Sequence, residues 1–346
     1  MPANKTTSAT PITSRRTNPA LLWALLGLAF MSFELFVIAR WIGSDNFRPV
    51  PYDPASVPAL TQQVITITQW ISPLVTAFIV TKFLLLPWIR ERRPTTDGML
   101  VIAYFFLWFQ DPLGNLISTQ LYYSAAWVNR GSWTLGAFPG WISPNGNHLP
   151  EPILVMGFGY LWLGFCSAIA ACKVMQWTRN QFPHTSNLEL ILVALTVGIA
   201  LDFTAEVALM MAGTFAWPGA IKGLTLFYGE PYQFPMTECV LFGATIVSGG
   251  VLRFFRDDKG ATVVERGIER LSMGSSGKTT VKFFAIFGFM HLFMALVYSL
   301  PMAISSMYTT VNQRFPSHLE NGMCVVGQNK DQCPGPGVAM PRPPYN

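Results

Sequence analysis

Leu188–Gly213 reads LELILVALTVGIALDFTAEVALMMAG. A helix that crosses a ~30 Å hydrocarbon core needs roughly 20 mostly apolar residues, and this run is long enough. Its charged residues are Glu189 at the start and the pair Asp202 and Glu206 further along. Four residues apart, that pair shares one helical face, one turn from each other. An ionisable group inside a bilayer costs several kcal/mol unless it faces other protein or water. The stretch therefore predicts a transmembrane helix with an acidic stripe turned toward the protein interior.

Six more runs of the same kind lie on either side: Ala20–Ile42, Val64–Trp88, Gly98–Tyr123, Ile153–Trp177, Pro235–Phe255 and Val281–Tyr308. Prolines punctuate the gaps, among them Pro49, Pro51 and Pro54 after the first, Pro94 after the second and Pro183 after the fourth. Composition agrees, with 51% hydrophobic and 12% charged residues over 346 positions. An ordinary soluble domain carries about 25% charged residues. The first run is too long for a signal-peptide core and no small-x-small cleavage site follows it, so it reads as a retained helix. The expected architecture is an all-α, seven-helix integral membrane domain over residues 20–308. A disordered N-terminal arm (1–19) precedes it and a Pro/Gly-rich tail (309–346) follows it.

Sidedness is read from Lys and Arg in the connections. With the N-terminus inside, sixteen of the 23 basic residues fall in inner segments, including Arg90, Arg92 and Arg93 and the run from Arg253 to Lys282. The outer connections hold the remaining seven. An odd helix count then places the tail outside, and the cell membrane is the expected location. Segregation of a formal charge of only +5 argues against a nucleic-acid partner. Cys324 and Cys333 lie in the tail with eight residues between them, a pair able to close a small loop in an oxidising compartment. Cys166, Cys172 and Cys239 fall in or beside spans and read as small buried apolar residues.

Polar residues within the apolar runs carry the chemistry. Asp111 sits in Trp108-Phe109-Gln110-Asp111-Pro112, with Asn115 one turn on; Glu238 lies one turn into the sixth run, and Glu151 opens the fourth between two prolines. His291 lies in the seventh run and Glu34 in the first. On the predicted topology, four helices bring carboxyl groups to a zone between the midplane and the outer surface. Two like charges one turn apart in low dielectric oppose each other's ionisation, so one is expected to hold a proton and serve as an acid beside an ionised neighbour. Bland readings exist for each: helix-dipole complementation for Glu151 and Glu238, a bond to an amide freed by Pro112 for Asp111, and structural hydrogen bonds for His291 and Glu34. The Asp202/Glu206 pair is hardest to explain as structure.

The outer loops are rich in rings and turns, with Trp133 and Trp141 in one and Trp217 and Tyr228 in another, which suits a lid over an apolar ligand cavity. Interfacial aromatics would look the same. The expected substrate contacts are Trp108, Gln110, Asn115, Trp133, Trp141 and His291. The inner loop from Arg253 through Asp257 and Asp258 to Gly267 reads as a surface-lying amphipathic segment drawn to anionic lipid. No Walker loop, Rossmann glycine pattern, HExxH or Gly-x-Ser-x-Gly occurs, so no nucleotide cofactor and no metal is expected.

Several of these landmarks together resemble the spirocyclase AveC family, named for the enzyme that forms the avermectin spiroketal. They are Trp108-Phe109-Gln110-Asp111-Pro112, Asn129-Arg130-Gly131-Ser132-Trp133, Pro139-Gly140-Trp141 and Pro150-Glu151-Pro152. Further along come Phe234-Pro235-Met236-Thr237-Glu238, Arg253-Phe254-Phe255-Arg256-Asp257-Asp258, Val264-Glu265-Arg266-Gly267 and Cys333-Pro334-Gly335-Pro336-Gly337. The resemblance implies dehydration and spiroketal closure on a polyketide-like dihydroxyketone. It transfers no catalytic motif, so the site rests on the residues: Glu206 as acid, Asp202 and Asp111 stabilising positive charge, Glu238 relaying protons, Glu151 nearby. Competing expectations are a proton-coupled transporter or lipid carrier, an intramembrane cyclase of another lipid such as a terpenoid, and a non-catalytic receptor.

Overall fold

Asn18 opens the first helix: its Oδ1 accepts from the Ala20 amide at 3.1 Å and its Nδ2 donates to Gly267 O at 2.8 Å, while Pro19 takes the first helical position. In this computed structural model, residues 18–117, 120–134, 136–141, 148–311 and 316–319 are described. The tail cysteines Cys324 and Cys333, the closing Pro/Gly motif and nearly all of the N-terminal arm lie outside them.

Among the described residues the chain is mostly helical, with six helices long and apolar enough to cross a membrane. They are α1 (Pro19–Ile42), α2 (Ala59–Glu91), α4 (Met156–Gln181), α5 (Asn187–Met211), α6 (Met236–Phe254) and α7 (Ser275–Tyr308). The remaining expected span forms α3 (Thr96–Leu107), which tightens into 3₁₀ turns over Trp108–Asn115. Pro112 lacks an amide hydrogen and cannot continue an α-helical ladder, which accounts for the change of winding there. At ~1.5 Å and ~2.0 Å of rise per residue the two pieces extend roughly 34 Å together, although neither is a long regular helix.

Helix starts follow local chemistry. Ser186 and Glu189 form a reciprocal capping box on α5, and Thr95 accepts from Gly98 N at 3.2 Å to cap α3. Packing between helices relies on close backbone approach at glycine. A Cβ at Gly27 of α1 would collide with the Phe284 carbonyl of α7, and one at Gly198 of α5 with the Gly243 carbonyl of α6.

α3 is the central helix. Met99, Leu100, Val101, Ala103, Tyr104 and Leu107 are all buried, and the Tyr104 hydroxyl donates to Ile246 O at 2.7 Å while accepting from Gly249 N at 3.1 Å. By contrast α1, α2 and α5 turn large apolar residues outward, as with Leu25 at 64% exposure, Leu74 at 70% and Leu188 at 66%. Apolar faces of this extent, pointing away from the protein, suit a lipid surround.

The connections gather at two ends. After α1, α3, α5 and α7 the chain forms one interlocked layer: Tyr122–Tyr123 pairs antiparallel with Phe215–Ala216, Gly219–Ala220 with Thr310–Val311, and Thr225–Leu226 with Phe234–Pro235. Val50 N donates to Asn129 Oδ1 at 2.9 Å within the same layer. At the opposite, basic end, Arg253 pairs with Asp97 at 2.7 Å and Lys282 with Glu265 at 2.6 Å.

Candidate functional site

A cavity of about 70 Å³ lies beneath the interlocked loops. Its walls are mostly apolar, and its polar side chains include Asp111, Tyr123, Tyr160, Glu206 and Tyr298. The 3₁₀ turns that end α3 aim Asp111 inward. Its two oxygens accept from two tyrosines, Oδ2 from the Tyr123 hydroxyl at 2.6 Å and Oδ1 from the Tyr160 hydroxyl at 3.1 Å. Asp111 thus meets side chains from a loop strand and from α4. Tyr160 begins a π-helical turn, Tyr160–Phe165, of the kind that re-aims side chains at functional sites.

Across the cavity, Glu206 belongs to a second acidic group. Asp202 and Glu206 of α5 and Glu238 of the first turn of α6 each offer a carboxylate oxygen, and these oxygens lie within 4.8 Å of one another. Asp202 and Glu238 are fully buried, and neither oxygen of either residue has a hydrogen-bond donor among the described residues. Glu206, part-buried, likewise lacks a donor to Oε2, and Trp217, which lines the cavity with it, has no acceptor for its indole NH among the described residues. At an effective dielectric of ~20, each pair of charges at this spacing repels by about 3 kcal/mol or more. Three full charges cannot sit together here unneutralised. The group holds protons in common or holds a cation; its all-oxygen ligand set fits a hard divalent ion such as Mg²⁺ or Ca²⁺. Sequence reading expected no metal at these residues.

Glu151 stands at the rim. It is buried between Pro150 and Pro152, four residues before the α4 N-cap position Val155, and among the described residues neither carboxylate oxygen caps that helix or finds a partner. Burial first, and then the neighbouring Asp111 carboxylate, push it well above the usual carboxylate range.

The six expected substrate contacts are placed elsewhere than on the cavity wall. Asn115 organises a loop: its Oδ1 accepts from Gln120 N at 2.6 Å and Leu121 N at 3.0 Å, which positions Leu121 on the cavity wall. Gln110 ties α3 to α7, donating to His291 O at 3.0 Å and accepting from Ser299 Oγ at 3.1 Å. His291 pairs through Nδ1 with Glu34 at 2.6 Å and stacks on Phe287, with both members of the pair fully buried. Trp133 donates to Phe109 O at 3.2 Å and packs edge-on against Trp108 at 4.5 Å between ring centres, in a cluster with Trp41 of α1. Trp141 packs edge-on against Phe138.

The functional candidates without a sequence expectation are Tyr123, Tyr160 and Tyr298, whereas Trp217, expected in a lid, does line the cavity. A tyrosine inside an apolar run is a polar group in the wrong solvent, and Tyr160 and Tyr298 carried that signal. Tyr123 and Trp217 sit at span ends, where interfacial aromatics are ordinary.

A family model described as "Spirocyclase AveC-like" matches residues 91–321. The match takes in Asp111, Glu151, Asp202, Glu206 and Glu238 and leaves out α1 with Glu34. Neither curated proteins nor solved structures give a match.

Proposed function

Because the chain belongs to the spirocyclase AveC-like family, we propose that it is a membrane-embedded acid–base cyclase and dehydratase acting on an apolar, polyketide-like hydroxyketone. The observation that carries this reading is the placing of Glu206 and Asp111 on one mostly apolar cavity, with a Glu206 oxygen within 4.8 Å of carboxylate oxygens of Asp202 and Glu238.

Spiroketal closure proceeds in balanced steps. A hydroxyl of the substrate adds to its ketone to give a hemiketal. Glu206 protonates the hemiketal hydroxyl, the C–O bond breaks, and water leaves an oxocarbenium ion. A second substrate hydroxyl attacks that carbon and gives up its proton to Asp111. The net change is loss of one water, and the proton passes back to the Glu206 group with solvent. Carboxylates flanking an oxocarbenium-like centre serve the same end in glycoside hydrolysis. Tyr123 and Tyr160 hold Asp111 in place for the cation and the incoming proton, and Asp202 with Glu238 resupplies Glu206. The apolar walls exclude bulk water, which would otherwise compete as nucleophile.

In this reading α3 with its 3₁₀ extension is a seventh crossing, the basic end faces the cytoplasm, and the cavity opens toward the outer half of the membrane. The buried Glu34–His291 pair favours a second reading, a proton-coupled carrier, since paired ionisable groups within spans also mark proton pathways. Comparing metabolites extracted from cells with and without the gene separates the two. Accumulation of an uncyclised precursor one water heavier supports the cyclase, and unchanged chemistry with altered distribution across the membrane supports the carrier.

A further inference from the structure

The cavity's size poses a problem that the protein's outer surface answers. Ligand sites for drug-sized molecules run to ~300–1,000 Å³. A space of about 70 Å³ takes a reacting head group and no more of such a molecule. A second space of about 340 Å³ lies immediately outside, in a groove between α2 and the α4/α5 wall. Three residues, Trp162, Ala205 and Leu209, line both spaces, so one layer of side chains divides them.

The groove's other walls come from α2, namely Thr68, Ile71, Ser72 and Val75. On that helix Trp70, Ile71 and Leu74 are all exposed, Trp70 at 74%, so the groove opens onto a face built for lipid rather than water. Its dividing wall is held by a hydrogen bond from Trp162 Nε1 to Ser72 Oγ at 2.8 Å. Both ends of that bond stand on irregular helix. Ser72 precedes Pro73, which interrupts the α2 ladder, and Trp162 lies inside the π-helical turn that also aims Tyr160 at Asp111.

We propose that the α2 groove is the second half of the binding site, holding the apolar chain of a bilayer-dissolved substrate whose reacting head lies beside Asp111 and Glu206, with Trp162 as the movable wall between them. The proposal rests on the reading that this cavity takes an apolar substrate, and it adds the route: sideways from the membrane, between α2 and α5. Swinging the Trp162 indole away from Ser72 joins the two spaces. Because Trp162 and Tyr160 share one π turn, arrival of a chain in the groove also bears on the hydroxyl that holds Asp111.

The test needs no turnover. Thr214 lines the cavity and not the groove. Thr214→Cys is placed in the full chain in phospholipid vesicles and alkylated either with a pyrenyl maleimide dissolved in the bilayer or with a charged, membrane-impermeant maleimide. Labelling is followed peptide by peptide, with the exposed native Cys166 of α4 as internal reference. The apolar reagent is expected to reach position 214 faster than the charged one. Ser72→Ala should raise that rate a few-fold, as befits one hydrogen bond, with Cys166 reacting unchanged, and Trp162→Ala should raise it further. A long-chain methyl ketone added to the vesicles should slow labelling at position 214 and spare Cys166.

Faster labelling by the charged reagent would overturn the proposal in favour of a route through the loops. Rates indifferent to both Ser72→Ala and Trp162→Ala would overturn Trp162 as the wall, and absence of protection by the ketone would overturn the groove as the chain's place. A protein that labels as expected yet cyclises nothing would refute the enzymatic reading alone.

Discussion

Tyr160 of α4 reaches Asp111, in the 3₁₀ turns that follow α3, with its hydroxyl 3.1 Å from Oδ1, while Tyr123 takes the other oxygen at 2.6 Å, so this carboxylate is fixed from two sides on a mostly apolar cavity. Fixed geometry is what a group needs if it is to meet a cation that forms only transiently. Asp111→Asn is therefore expected to lower turnover by about 10²-fold or more, the range of acid–base groups. Tyr160→Phe leaves the Tyr123 bond in place and should lose about tenfold, the worth of one buried hydrogen bond. Turnover of purified protein in vesicles measures both, and equal activity of the two variants and the parent would remove Asp111 from the chemistry.

Asp202 and Glu238 touch the cavity only through Glu206. Asp202→Asn and Glu238→Gln remove a proton carrier and keep the shape, so each should cut turnover by about 10²-fold without lowering the thermal midpoint. Relief of like-charge repulsion predicts that the midpoint stays or rises. A falling midpoint with proportionate loss of activity would mark these residues as structural.

The same three carboxylates have the spacing of a cation site. The proton-sharing account predicts that a chelator leaves turnover unchanged and that added Mg²⁺ or Mn²⁺ does nothing. Loss of activity on chelation, restored by one divalent ion, would assign the cluster to a metal instead.

Gly198 sits where α5 meets α6, and any Cβ there strikes the Gly243 carbonyl and comes within 2.8 Å of Val247 Cγ1. Gly198→Val should wedge the helices apart, separating Asp202 and Glu206 from Glu238, with loss of several degrees in the thermal midpoint and most of the activity. Gly223→Ala meets nothing within 4 Å and serves as the neutral control.

At the basic end, burial alone would raise the Glu265 carboxyl, but the Lys282 ammonium at 2.6 Å and the Thr262 amide at 2.7 Å outweigh it and hold it below its ordinary 4.5. A depressed carboxylate contributes stability that is fully present above its ordinary value and is lost as pH falls through its folded value. Thermal midpoints of the parent should therefore drop between pH 6 and pH 3 (roughly the carboxylate range) more steeply than those of Glu265→Gln. Parallel curves would show that the pair contributes nothing.

Much of this was legible in the residues. Runs of twenty apolar positions have few other homes than a membrane, and the four-residue spacing of Asp202 and Glu206 already put them on one helical face. Their convergence with Glu238 was expected from depth along the spans. The tight winding of Trp108–Asn115 was not, since Pro112 is compatible with a kink as well as with 3₁₀ turns. Nor were the partners of Asp111, because Tyr160 lies 49 residues away and reaches it only through the π turn in α4. The sequence suggests Trp133 and Trp141 as a lid and Trp108 as a substrate contact because rings at span ends look alike whether they line a cavity or pack on a neighbouring helix. Here Trp133 packs on Trp41 of α1, a contact between distant parts of the chain.

A Glu206 group that drives a dehydrative ring closure has a direct consequence in the cell. Cells lacking the gene are complemented with the parent or with Glu206→Gln, both inserted in the membrane at equal levels, and their extracts are compared by mass spectrometry. The account predicts that the parent restores the cyclised product and that Glu206→Gln leaves the precursor one water heavier. Full restoration of the product by Glu206→Gln would contradict it.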